Sequence, residues 1–336
     1  MDTAGLADFL SDEQFSGVVL VSRGGETLFE SATGFASQRW RSPNTLDTRF
    51  DTASITKLFT AVAVLQQVGL GNLDLELPIH HYVDLEGTAI PTDVNLLHVL
   101  THTSGIADDA DEEAGESYAE LWAKTPTYTV MQTADLLPQF AHKEPYFVPG
   151  TDSQFSNAGY VLAGLALERV TGKPYRQYVE EQVFEKAGMA DSGFFDRRDA
   201  TPRVAEGWDL SPDARWVSNI FSYPPIGSPD NGAHATAADL VRFFDAARGG
   251  ALLNPEFTEE FFSPQVEVDD ETAYGFGLEF DLNADGTVRS YFQDGINPGA
   301  SGILRHYLTD DIDVVVLSNS EEGAWDVIAE LDDRVE

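Results

Sequence analysis

Ser54 and Lys57 lie three residues apart at the head of a stretch that is otherwise almost wholly apolar, continuing through Leu58, Phe59, Ala61, Val62, Ala63, Val64 and Leu65. A stretch that is apolar on nearly every side predicts a buried helix, here over about 54 to 68, with its first turn inside the protein or at the base of a cleft. Residues three apart share a helix face. An amine desolvated there has its charged form disfavoured, so a neutral lone pair becomes accessible beside the hydroxyl. That pair is enough to make an alkoxide nucleophile. The helix N-terminus adds free N–H groups and a positive dipole for a developing oxyanion. The placement is costly, because the chain has only five lysines against fifteen arginines. Taken alone, Ser-x-x-Lys also describes a serine N-cap followed by a lysine whose amine reaches solvent.

Other polar candidates carry less. His80-His81 has no partner at metal-ligand spacing and reads as a loop pair. His102 and Ser104 sit in His-Thr-Ser-Gly-Ile outside any Gly-x-Ser-x-Gly elbow, and residues 299 to 303 miss that elbow by one position. A Ser-His-Asp triad is therefore unsupported, and His306 reads as a structural or surface residue on a predicted strand. The chain has no cysteine, which rules out disulfides, thiolate metal sites and a cysteine nucleophile. No metal and no cofactor are expected.

Across 336 residues, 57 acids face 20 bases, for a net charge of −37. The acids are scattered along the chain, so the whole surface is acidic. Repulsion of that size is relieved by salt, and together with the scarcity of lysine it resembles the composition of proteins from salt-loaded cytoplasm. High salt is expected to be needed for stability. No basic stripe exists to release counterions from nucleic acid or to meet an anionic membrane. No apolar run is long enough to span a bilayer. Residues 1 to 10 lack a basic region followed by an apolar core, so a cytoplasmic location is expected, although a trimmed chain would look the same.

A helix over about 3 to 12 precedes two β-rich runs that flank Arg23-Gly24-Gly25, a hairpin signal. Residues 47 to 53 suggest a third short strand. Helices follow over about 94 to 101, 157 to 171 and 175 to 187, and strands return in the last third before a final helix over about 322 to 333. Strands at both ends with helices between predict an α/β chain of the α+β type, an antiparallel sheet flanked by terminal helices with an all-helical lobe inserted. The expected division is 1–57 with 205–336 for the sheet lobe and 58–204 for the helical lobe, with the site in the cleft between them.

Five further segments follow Ser54 in order: 95 to 106, 146 to 175, 183 to 195, 232 to 244 and 293 to 302. With them the chain resembles the penicillin-recognising serine hydrolases over nearly its whole length, from about 16 to 320. The closest likeness is to the class C β-lactamase-like group, which includes D,D-peptidases, D-aminopeptidases and esterases. The resemblance implies a sheet lobe and a helical lobe with the active site between them. Ser54 then falls on the acylated nucleophile and Lys57 on its base. The family's Tyr-x-Asn motif is matched by Phe155-Ser156-Asn157. Asn157 is implied to bond Lys57 and the substrate amide, whereas the phenyl ring of Phe155 can neither donate nor accept a proton. The third motif, Lys-Thr-Gly or His-x-Gly, is matched by Gln293-Asp294-Gly295, where glutamine stands in place of the cationic residue. The backbone N–H groups of Ser54 and Ile296 are implied to form the oxyanion hole.

Two proton-handling positions are thus altered, and one such loss typically costs 10²–10⁴-fold. The chain is expected either to work on activated esters with Ser54 and Lys57 alone, to use a relocated relay (Asp294, Tyr146 and Tyr223 being candidates), or to be a non-catalytic relative acting as a binding or regulatory module. The expected function is acyl transfer to water through a Ser54 acyl-enzyme, on small esters, amides or peptide-like substrates other than penicillins. A neutral Gln293 beside Asp294 suggests that carboxylate-bearing substrates are disfavoured and neutral or amine-bearing ones preferred. The alternative for Asp294 is one more surface acid.

Overall fold

The structure is a computed structural model and describes residues 1–111 and 115–335. Its largest element is an eight-stranded sheet built from both ends of the chain. The strands are β1 (Gly17–Arg23), β2 (Glu26–Thr33), β3 (Val266–Glu267), β4 (Thr272–Tyr274), β5 (Glu279–Leu282), β6 (Val288–Asn297), β7 (Ala300–Tyr307) and β8 (Ile312–Ser318). They run in the order β2-β1-β8-β7-β6-β5-β4-β3, every neighbour antiparallel. The β1–β2 turn holds Gly24 and Gly25 at φ 54° and 83°, the doubly left-handed conformation that a two-residue hairpin needs. β1 pairs with β8 in the register Val19↔Val316, which closes the sheet across the two termini.

Side-chain alternation divides the sheet between two layers. Val19 and Val21 of β1 pack with Val314 and Val316 against Leu6 and Leu10 of α1 (Leu6–Asp12) and Val327 and Leu331 of the C-terminal helix (Trp325–Asp332). Val18 and Leu20 face the other way, into a core shared with the remaining helices. At its centre runs α2 (Thr56–Gly69), buried continuously from Thr56 to Leu65. It packs against α3 (Asn157–Thr171) and, through Phe59, against Phe184 and Phe243. The sheet face and the helical region therefore share one core.

Several expectations shift in detail. The strand anticipated over 47–53 is two residues, Phe50–Asp51, paired with His234–Ala235 outside the main sheet. Among the strands of the last third, β4 and β5 are short and separated by a turn. The helix anticipated over 175–187 passes through a π-helical stretch, Glu180–Phe184. Helices at Tyr118–Lys124, Ala237–Arg248 and Pro255–Phe261 had no counterpart in the sequence reading.

Candidate active site

Ser54 lies in a 3-10 turn, Ala53–Ile55, just ahead of α2. The continuous helix expected from residue 54 begins at Thr56, and just ahead of Ser54 the backbone of Ala53 has φ 43°, a left-handed conformation that a residue with a Cβ rarely adopts. Such strain persists where its surroundings over-determine it. Here Ala53 N–H donates to Asp51 Oδ1 at 2.8 Å, and Asp51 Oδ2 in turn accepts from the Tyr223 hydroxyl at 2.8 Å. The Ala53 carbonyl accepts from Gly232 N–H at 3.3 Å.

Lys57 is fully buried, in the first turn of α2. Its Nζ lies 2.8 Å from Ser54 Oγ, 2.7 Å from Asn157 Oδ1 and 2.8 Å from the Asp230 carbonyl oxygen. Burial lowers its pKa to about 8, opposed by the nearby acids Asp230, Asp108, Asp109 and Glu279. The partner set fixes what a neutral amine does here. A carbonyl oxygen can only accept, so the two remaining N–H groups point at Asn157 and Asp230. Ser54 Oγ–H is the one partner able to donate back, and the lone pair is left facing it.

Asn157 is the first residue of α3, whose N-cap Ser156 accepts from Gly159 N–H at 3.3 Å. Besides taking the Lys57 bond, Asn157 donates from Nδ2 to Asp108 Oδ2 at 3.1 Å and to the Tyr118 hydroxyl at 2.9 Å. Both its N–H groups are committed, so the expected donation to a substrate amide has no donor left in this geometry. Tyr118 donates on to Asp109 Oδ1 at 2.9 Å, and Asp108 Oδ1 accepts from Ala158 N–H at 2.7 Å. Burial raises both carboxyls. Asp109 is pushed up to about 8, helped by its acidic neighbours Asp108 and Asp230. Asp108 is pulled back by the backbone N–H bonds, by Asn157 and by Lys57.

The Phe155 ring lies against Lys57, whose Nζ is 4.7 Å from its centroid. His102 stacks behind it at 4.6 Å and an interplanar angle of 22°. His102 Nδ1 accepts from Ser156 N–H at 3.1 Å, and burial drives its pKa down to about 3, so it is a neutral support for the Phe155 ring. Ser104 Oγ accepts from Ile106 N–H within the same turn.

On β6, Gly295 meets Ser54 so closely that a Cβ there would lie 2.7 Å from Ser54 N, which excludes a larger residue. Ile296 lines the cavity beside Ser54. Gln293 is fully buried and donates from Nε2 to the Asp294 carbonyl at 3.1 Å, while its Oε1 lacks a partner. Neither Gln293 nor Asp294 lines the cavity; burial raises the Asp294 pKa, against the pull of the positive charges of Arg305 and Lys57. Glu279 is likewise raised, to about 7, first by burial and then by Asp294.

The cavity at Ser54 has a volume of about 760 Å³. Asp51, Asp108, Asp109 and Asp230 lie in its wall with Arg197, and Trp122, Leu136 and Ile226 supply apolar surface. Sequence reasoning missed these acids and Tyr118. Asp108 and Asp109 stand two and three residues after Ile106, at the end of a segment whose resemblance was noted, but adjacent aspartates in so acidic a chain carry no signal of burial. Of the relay candidates, Tyr146 accepts from Asp108 N–H at 3.2 Å and Tyr223 is bonded to Asp51. No bond joins Tyr146, Tyr223 or Asp294 to Ser54 Oγ or Lys57 Nζ. His80 and His81 share a short 3-10 turn, and His306 bonds Asp313 at 2.9 Å and stacks on Tyr291, away from the cavity. Among the described residues no group of His, Asp and Glu is arranged to hold a metal ion.

Comparison with known proteins agrees with this layout. The beta-lactamase family model matches residues 5–335. Penicillin-binding protein 4* of Bacillus subtilis (strain 168) is 27% identical over 323 residues, covering 92% of this chain and 69% of that protein. Esterase EstB of Burkholderia gladioli is 32% identical over 291 residues, covering 77% of this chain and 73% of that protein. The crystal structure of a penicillin binding protein from Bacillus halodurans superposes with a TM-score of 0.93 at 36% identity, over 98% of this chain and all of that one. The chain belongs to the beta-lactamase family of serine hydrolases.

Proposed function

We propose that this protein hydrolyses small esters or amides by acyl transfer through Ser54, with Lys57 as the base. The observation that carries this reading is the set of partners around Lys57 Nζ, two carbonyl acceptors and one hydroxyl, in a site that brings the amine to about 8. As Ser54 Oγ bonds to the acyl carbon, its proton passes to Lys57. The tetrahedral oxyanion is held by the N–H groups of Ser54 and Ile296. Lys57 returns the proton to the departing oxygen or nitrogen as that bond breaks, then takes one from the water that attacks the acyl carbon and passes it to Ser54 Oγ as the acyl–oxygen bond breaks. Asn157 and the Asp230 carbonyl keep the amine oriented. Phe155 contributes no proton, so Lys57 serves both directions, and activated esters are the favoured substrates. Acids in the cavity wall oppose a substrate carboxylate and favour neutral or amine-bearing molecules. This shifts the basis of that preference from Asp294 to Asp51, Asp108 and Asp230.

The test is a panel of p-nitrophenyl esters in molar KCl, matched in size and carrying an amine, no charge or a carboxylate. Turnover in the order amine or neutral over carboxylate, lost in Ser54→Ala, supports the reading. Preferred turnover of the carboxylate ester, or turnover that survives Ser54→Ala, contradicts it. A second reading, a binding module with an inert cleft, is favoured by the Phe155 ring filling the place beside Lys57. It predicts ligand protection of the fold with no turnover of any ester.

A further inference from the structure

Asn231 and Asn297 form a closed amide pair in the cavity wall. Asn231 Nδ2 donates to Asn297 Oδ1 at 2.9 Å, and Asn297 Nδ2 donates back to Asn231 Oδ1 at 2.7 Å. The two residues are 66 apart in sequence, so the pair joins separate segments of the fold. Two parallel bonds between planar groups fix both distance and orientation, which one bond does not.

What the pair joins matters more than the bonds themselves. Asn231 follows Asp230, whose carbonyl accepts from Lys57, and it sits in a tight loop in which Ser228 and Asn231 exchange backbone bonds at 2.7 and 3.2 Å. Gly232, next in sequence, donates to the Ala53 carbonyl beside Ser54. Asn297 ends β6 directly after Ile296 and two residues after Gly295, which is pressed against Ser54 N. One partner thus belongs to the loop that orients the amine, and the other to the strand that carries the second oxyanion donor.

We propose that the Asn231–Asn297 pair is a positioning clamp that holds the N–H of Ile296 in register with the Lys57 amine about Ser54. Geometric errors of this kind are expensive in acyl transfer, because a donor must meet the place where charge develops. The inference rests on the serine-hydrolase reading above. Either residue alone is useless to the clamp, so losing one should equal losing both.

The experiment measures the rate of covalent labelling by a small fluorophosphonate across pH in molar KCl, with thermal unfolding recorded for each variant. Asn231→Ala and Asn297→Ala should each label about tenfold slower than wild type, and the double variant no slower than either single one. Asn297→Asp supplies the readout that general loosening would not move. Its carboxylate form meets Asn231 with one good bond and one oxygen–oxygen repulsion, whereas its protonated form rebuilds the two-bond ring. The labelling rate of Asn297→Asp relative to wild type should therefore climb toward unity as pH falls, while the Ala variants keep a constant ratio. Additive losses in the double variant, or a flat ratio for Asn297→Asp, overturn the clamp. If wild type takes no label at Ser54, the reading beneath it fails, and the clamp with it.

Discussion

Asp230→Asn separates the carboxylate of Asp230 from its backbone. The variant keeps the carbonyl that accepts from Lys57 Nζ, and keeps a side-chain oxygen where Ser228 Oγ donates at 2.7 Å. What it removes is the charge that most strongly holds up the Lys57 pKa against burial. With the amine at about 8, roughly one lysine in ten is neutral at pH 7, against about one in 3,000 for an ordinary lysine at about 10.5, a gain of roughly 300-fold in available base. Wild-type kcat/KM for an activated ester should rise about tenfold per pH unit and bend near 8. Losing an acid destabilises the ammonium, so in Asp230→Asn the bend moves to lower pH. The first unit of that movement raises the rate at pH 7 by roughly fivefold, a second unit by less than about twofold more, and the plateau is unchanged. The assay is release of p-nitrophenol corrected for spontaneous hydrolysis at each pH. A wild-type bend in the ordinary lysine range, or a bend that moves upward in Asp230→Asn, refutes the assignment of Lys57 as a base tuned by burial against nearby acids.

Phe155→Tyr puts a hydroxyl back beside Lys57 without disturbing the stack on His102, and should raise acylation by about tenfold or more; no gain in burst kinetics argues that the relay has moved elsewhere. Asp109 titrates at about 8 when folded, far above its ordinary 3.8, so its contribution to stability is complete below about pH 4 and is lost as pH rises through 8. Asp109→Asn keeps an acceptor for Tyr118 and removes that loss, so its unfolding midpoint should exceed that of wild type at about pH 9 and match it at about pH 4, whereas a uniform offset contradicts the assignment. With a net charge of −37, the unfolding midpoint should climb as KCl goes from about 0.1 M to 1 M, over which the Debye length falls from about 10 Å to about 3 Å. A flat salt profile sinks the expectation of a salt-adapted surface.

The legible parts of this molecule are those where one short pattern forces one answer. Apolar residues on every side of α2 dictated its burial, and the spacing of Ser54 and Lys57 followed as a contact of 2.8 Å. Gly24-Gly25 dictated the hairpin, and the helix expected over 157 to 171 is α3, Asn157–Thr171. The turn at Ala53 was illegible because alanine carries no signal for a left-handed conformation; that conformation is imposed by Asp51, Tyr223 and Gly232, the last two far away in sequence. Asp108, Asp109 and Asp230 were hidden for a different reason. In a chain with 57 acids, nothing local distinguishes a buried carboxyl from a solvated one, and only packing around Lys57 makes the difference. Asp294 shows the converse: it was singled out for its place in a motif, yet it lies outside the cavity wall.

The central claim is that Ser54 is a nucleophile made reactive by Lys57, and covalent mass tests it most directly. The protein is incubated with a fluorophosphonate in molar KCl and weighed intact, beside Ser54→Ala and Lys57→Ala. The account predicts one adduct per chain in wild type, located on Ser54 by peptide mapping, none in Ser54→Ala, and labelling at least a hundredfold slower in Lys57→Ala. An unlabelled wild-type protein, or an adduct that persists in Ser54→Ala, contradicts it.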